Sequence, residues 1–172
     1  TVIDCKLDLL EELNCNGNQL AGLDLTNWPE LRELDCSNNL LTELDWSANP
    51  KIRKLDIRNN CLTYIDFTKN PCPKSFYWGE QSLEIPMKRN AEGNFAYDLT
   101  NLPGKLDVSK VSKWELGGAT INGSVLTVPG GSNTVHYQYT TADGRISPTV
   151  SLVFIAPELK ILTQPKYLKI NQ

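Results

Sequence analysis

Three consecutive segments of the chain align without a gap at a period of 21 residues: LEELNCNGNQLAGLDLTNWPE (10–30), LRELDCSNNLLTELDWSANPK (31–51) and IRKLDIRNNCLTYIDFTKNPC (52–72). Each fits L-x-x-L-x-L/C-x-x-N-x-L. One unit of this length cannot bury its own apolar face, so units must stack. Stacking at about 4.8 Å per turn gives a parallel sheet backed by a continuous core.

The columns of the stack follow directly. Leu10/Leu31/Ile52, Leu13/Leu34/Leu55, Cys15/Cys36/Ile57 and Leu20/Leu41/Leu62 point inward. A second inward set, Leu23/Leu44/Ile65 and Leu25/Trp46/Phe67, feeds the core from the far side. Asn18, Asn39 and Asn60 stand where each strand leaves the sheet, where their amides can pair backbone groups of adjacent turns. A weaker fourth turn starts at Pro73. Phe76 and Trp78 take the places of Leu13 and Cys15, Gln81 replaces the Asn, and Leu83 closes the pattern. At the other end, Ile3 and Cys5 match Leu23 and Leu25. Both flanking turns are atypical, as caps are.

Cysteine is a good buried hydrophobe and smaller than leucine. Cys15 and Cys36 in an inward column are therefore packing groups that remain thiols, and no four-ligand metal set converges on them. Cys61 and Cys72, from opposite ends of a turn, are too far apart to pair.

The pattern is the leucine-rich-repeat signature. CSNNLLTELDWSANP (36–50) resembles the cysteine-bearing 21-residue repeats of bacterial surface proteins of the internalin J type, over residues 3–85. Three departures stand out, the first being that only three turns are full. Ile57 breaks the cysteine column, and Trp28 replaces the loop asparagine seen at Asn49 and Asn70.

After residue 86 the period vanishes and turn signals recur at 92–94, 102–104, 122–124, 129–131 and 142–145. Short β-type runs separate them: Phe95–Leu99, Trp114–Leu116, Val125–Val128, Thr134–Thr141 and Thr149–Ile155. NTVHYQYTT alternates, with Val135, Tyr137 and Tyr139 on one side, as in a half-buried strand. Short strands at this spacing predict a small antiparallel sandwich, with Trp114 filling its core. The segment resembles the cysteine-free immunoglobulin-like modules that follow such repeats. The expected fold is mostly β: a short leucine-rich-repeat solenoid with a parallel sheet over 1–85, then an immunoglobulin-like β-sandwich over 86–156. Residues 157–172 are expected to be a tail resembling the first strand of a further module, in a natural protein expected to continue. Leu83, Ile85 and Met87 alternate across the junction with no Gly/Ser spacer, so the two halves are expected to share an interface.

Net charge is −3 and hydrophobic content 40%. That balance does not indicate nucleic-acid binding, and no apolar run is long enough to cross a bilayer. Charge is uneven, −6 over 1–85 and +3 over 86–172. Adjacent Asp35 and Asp56 invite comparison with a glycosidase carboxylate pair, but a charged ladder on a repeat face reads first as solvated surface. Asp24, Asp45 and Asp66, each two residues before a Ser or Thr, are read as hydrogen-bonding neighbouring turns rather than calcium. Asn122-Gly123 reads as a hairpin turn. His136, the only histidine, has no nucleophile or acid partner evident in the sequence.

No catalytic residue, metal or cofactor is assigned. The expected role is a non-enzymatic secreted or cell-surface binding module, a monomer, taking a protein or carbohydrate ligand on the repeat sheet through Arg32, Asp35, Asp56, Arg58 and Tyr77. Tyr77 is the expected anchor, and the three side chains of Asp35, Asp56 and Tyr77 are expected to be replaceable without cost to the fold. The alternative is a rigid spacer carrying a downstream domain, with sandwich loops near Asp143 and Arg145 as the next place for a ligand.

Overall fold

The computed structural model describes residues 9–65, 67–141, 144 and 146–157, apart from the Lys105 side chain. The expectations placed on Ile3, Cys5, Asp66, Asp143, Arg145 and the tail beyond 157 lie outside these residues.

Four three-residue strands form the first sheet: β1 (Glu12–Asn14), β2 (Glu33–Asp35), β3 (Lys54–Asp56) and β4 (Ser75–Tyr77). They run parallel in sequence order, with Leu13, Leu34, Leu55 and Phe76 in one row. The inward columns are packed as expected: Leu34, Cys36, Leu41, Leu55, Ile57 and Leu62 are at most 1% exposed. On the far side Trp46, Phe67 and Phe76 meet edge to face, with ring centroids 5.7 and 5.3 Å apart. Cys15 and Cys36 are buried free thiols, and burial raises the pKa of both.

The asparagine ladder works across turns. Asn60 Nδ2 donates to Cys36 O (3.0 Å) and Ile57 O (3.1 Å), and its Oδ1 accepts from Leu41 N (3.0 Å). Asn39 repeats this one turn earlier. Gln81 does the same job in the fourth turn, donating to Ile57 O and Trp78 O and accepting from Leu62 N. Each amide satisfies at least three backbone groups where the chain bends out of the sheet. A second amide row has Asn49 donating to Leu25 O and Trp28 O, and Asn70 to Trp46 O.

Two aspartates of the far side close turns of their own chain segment. Asp24 accepts from Thr26 N and Oγ1, and Asp45 from Ser47 N. An Asp side chain closes easily onto the amide two residues ahead.

The second half is a two-sheet β structure. One sheet has the order β5 (Ser82–Pro86), β11 (Thr149–Ile155), β10 (Thr134–Tyr139), β7 (Val111–Glu115); the other has β6 (Phe95–Asp98), β9 (Val125–Val128), β8 (Thr120–Asn122). All pairings are antiparallel except β5 with β11. This order is compatible with an immunoglobulin-like sandwich whose first strand has crossed to the opposite sheet. Val135, Tyr137, Tyr139, Leu126, Leu152 and Phe154 fill the core. Trp114 lies at its margin, half-buried, with its ring 5.3 Å from that of Tyr137.

The halves meet without a linker. β5 starts one residue after Gln81; Ser82 N donates to Asn60 O in the solenoid, and Ser151 N on β11 donates to Gln81 O. Trp78 packs against both cores and donates to Thr149 O (3.1 Å). Tyr64 leaves the solenoid to pack on the sandwich core. Tyr137 donates to Thr63 O (2.6 Å), and Tyr139 accepts from Ile65 N (2.7 Å). Thr63 Oγ1 in turn donates to Pro103 O. The approach is close enough that a Cβ on Gly104 (φ +75°) would stand 3.0 Å from Thr63 Oγ1.

Candidate functional site

The open face of the first sheet carries the five residues named from the sequence, and they divide into two groups. Arg32 pairs with Glu11 at 3.4 Å and is half-exposed. Glu33 pairs with both Arg53 (3.4 Å) and Lys54 (3.3 Å). Exposed pairs of this kind hold little energy, about 0–1 kcal/mol each.

The second group is Asp35, Asp56, Arg58 and Tyr77. Asp35 and Asp56 are register partners on β2 and β3. Each closes a turn: Asp35 Oδ1 accepts from Ser37 N (3.1 Å) and Oγ (2.7 Å), and Asp56 Oδ1 accepts from Arg58 N (3.2 Å). Asp56 is 5% exposed, not presented to solvent as expected. Arg58 folds back over it, donating from Nε (3.0 Å) and Nη2 (2.6 Å). These bonds to Asp56 raise the Arg58 pKa further above its ordinary value. The guanidinium also lies 5.4 Å from the centroid of the Tyr77 ring, a cation–π distance. Tyr77 is 44% exposed, one of few large apolar groups left open.

Gly79 makes this arrangement possible. It has φ +60°, and a Cβ there would fall 2.5 Å from Arg58 Cγ. The left-handed position has moved by one residue in this turn: in earlier turns it is Gly17, Asn38 and Asn59, equivalent to Glu80. The result is an arginine pinned by a buried carboxylate, backed by glycine and flanked by an open tyrosine. Asp35 and Asp56 are occupied by their own turns, so the carboxylate pair works as scaffold.

Two features were not legible in the sequence. Glu115, His136 and Ser151 form one cross-strand row, with His136 Nδ1 2.9 Å from Ser151 Oγ. The row looks like acid, base and nucleophile, but Ser151 N is committed to Gln81 O, so that amide is no oxyanion donor. The other feature is a groove of about 580 Å³ on the opposite side of the solenoid from the sheet. Leu23, Leu44 and Ile65 line it from three successive turns, and Gly104, Asp107 and Lys110 of the sandwich form its far wall. It exists only where the two halves meet, so no local pattern announces it.

The in-register strands, the inward leucine columns and the amide ladder make the first half a leucine-rich-repeat solenoid. Residues 8–49 match the family model for leucine rich repeats (2 copies). Among solved structures the chain is similar to one described as the functional domain of InlJ from Listeria monocytogenes, which includes a cysteine ladder. Identity is 22%, the match covers 86% of this chain and the TM-score is 0.47. The chain spans 42% of that structure's chain. No curated protein matches.

Proposed function

We propose that the chain is a non-enzymatic binding module that takes a protein partner on the repeat sheet, at a cell surface or after secretion. The observation that carries this reading is the Arg58–Tyr77 pair. Tyrosine and arginine are the residue types enriched at the energetic centres of protein interfaces. Here the arginine is already held in place by Asp56 and by the Gly79 backbone, so binding need not order it. The acidic and basic groups along the same face, from Glu11 to Lys54, supply a charged rim.

Immobilised protein tests this with a panel of surface-protein ectodomains in a binding array. For any partner retained by the parent chain, Tyr77→Ala is expected to weaken binding at least tenfold with an unchanged melting temperature. Asp56→Ala is not an equivalent test, because it removes the acceptor that holds Arg58. Full retention by Tyr77→Ala of every partner would sink the reading and favour the role of a rigid spacer.

A further inference from the structure

We propose that the groove between the solenoid and the sandwich is a second binding site, and that it takes a neutral oligosaccharide. Its volume, about 580 Å³, is in the range of sites for small ligands. Its floor is apolar and regular, because Leu23, Leu44 and Ile65 come from equivalent positions of three turns. Three turns span two strand spacings, about 10 Å, enough length for more than one sugar ring laid along the stack.

The charges over that floor decide the ligand class. Glu43, Asp45 and Asp107 supply carboxylates, and Lys69 and Lys110 supply ammonium groups, one from each half of the molecule. Glu43, Lys69 and Lys110 make no ion pair among the described residues. Asp107 is tied on one oxygen, accepting from Ser109 N (3.0 Å) and Oγ (2.6 Å). Those bonds lower its pKa, so it stays an acceptor at neutral pH. An anionic ligand would meet three carboxylates, and a cationic one would meet two lysines. A neutral polyol meets both signs favourably, since each hydroxyl both donates and accepts. A carboxylate can accept from two vicinal hydroxyls at once. Hydroxyl and amide side chains of Thr42, Ser47 and Asn70 add to the same mixed lining. Nothing in this groove presents a strand edge of the kind that captures an extended peptide.

The groove is independent of the sheet face, and one position gives a clean way to close it. Gly22 lines the groove, has no positive φ, and a Cβ there would meet nothing within 4 Å. Gly22→Trp should therefore fill the space without disturbing the fold. The probes are neutral oligomers of glucose, galactose and N-acetylglucosamine on an array, followed by calorimetric titration. Oligogalacturonate serves as the anionic control and an acidic peptide as the peptide control. The expected result is retention of at least one neutral oligomer and at least tenfold weaker binding by Gly22→Trp at an unchanged melting temperature. Glu43→Ala with Lys110→Ala, both exposed, should weaken binding without filling the groove, and Tyr77→Ala should leave it intact. The proposal is overturned by failure of every neutral oligomer to bind, by equal binding to the Gly22→Trp protein, or by tenfold preference for either control.

Discussion

The two halves of this molecule solve the same problem by opposite means. In the solenoid each residue has equivalents 21 positions away, and its main contacts are with those equivalents. Leu34 packs between Leu13 and Leu55, and Asn39 does for one turn what Asn60 does for the next. In the sandwich nothing repeats. β5 is paired with β11, separated from it by the rest of the domain. Phe95 stacks on Phe154 with centroids 5.6 Å apart. Local order therefore comes early and modularly in the first half, and only with the whole topology in place in the second. The difference also locates the weak point of a solenoid, its last turn. Here the sandwich covers it, through Trp78, Tyr64 and the backbone bond from β11 to Gln81.

The largest expected effect tests whether that junction fuses the halves into one unit. Leu55 in the solenoid and Leu152 in the sandwich are both 0% exposed. Replacing either with alanine should cost about 3 kcal/mol, the middle of the range for a buried leucine. With the junction intact, both changes should lower one shared unfolding transition seen alike by tryptophan fluorescence and circular dichroism. Two separable transitions, each moved by only one of the substitutions, would mean the halves are independent and the contrast is one of two separate domains.

An intermediate effect comes from the junction itself. Tyr137→Phe keeps the packing of the ring but leaves Thr63 O, buried between the halves, without its donor. A buried acceptor stripped of its partner costs about 1–3 kcal/mol. In the parent chain burial raises the Tyr137 pKa strongly, so its phenol is a constant donor throughout the accessible pH range. Limited proteolysis should find the Tyr137→Phe protein cut sooner between residues 80 and 95 than the parent. Identical cleavage kinetics would show that this bond does not hold the halves together.

The repeat columns were legible because each position is written three times, so a column of Leu or Asn stands out against single substitutions. Even the exception Gln81 could be read, because Phe76 and Trp78 hold the register around it. What the sequence hid is what depends on one contact only. Tyr64 occupies the column of Gly22 and Glu43, neither of which is buried, and nothing local marks it as a plug for the sandwich. Asp56 belongs to the same column as Asn14 and Asp35, yet it alone is covered, because an arginine follows two residues later and Gly79 leaves room for it to fold back. The short strand β8 (Thr120–Asn122) was missed for a related reason: three residues are too few to show alternation. The face was thus visible in advance, while its one preorganised element and the groove behind it were not.

The smallest effect concerns a device that both halves share. Asp24 in the solenoid accepts from Thr26, while Asp98 and Asp107 in the sandwich accept from Thr100 and Ser109. In Asp24 and Asp98 the bond from the backbone amide is the main cause of a lowered pKa, and in Asp107 the Ser109 hydroxyl comes first. The unfolded chain has the ordinary aspartate value, 3.8 in the reference scale. The unfolded state therefore binds protons first as the pH falls, and stability falls with it. The contribution is complete above the unfolded value and is lost as the pH drops through the lower folded values. Asp24 and Asp107 are exposed and Asp98 partly so, so the slope should be shallow and weaker still in high salt. Melting temperature measured from neutral pH down to about pH 3 should decline below about pH 5, where protonation begins. Asp24→Asn and Asp107→Asn should each flatten that decline by a similar small amount. A flattening from Asp107→Asn alone would show that the turn matters in the sandwich, and that the solenoid absorbs its loss through the neighbouring turns.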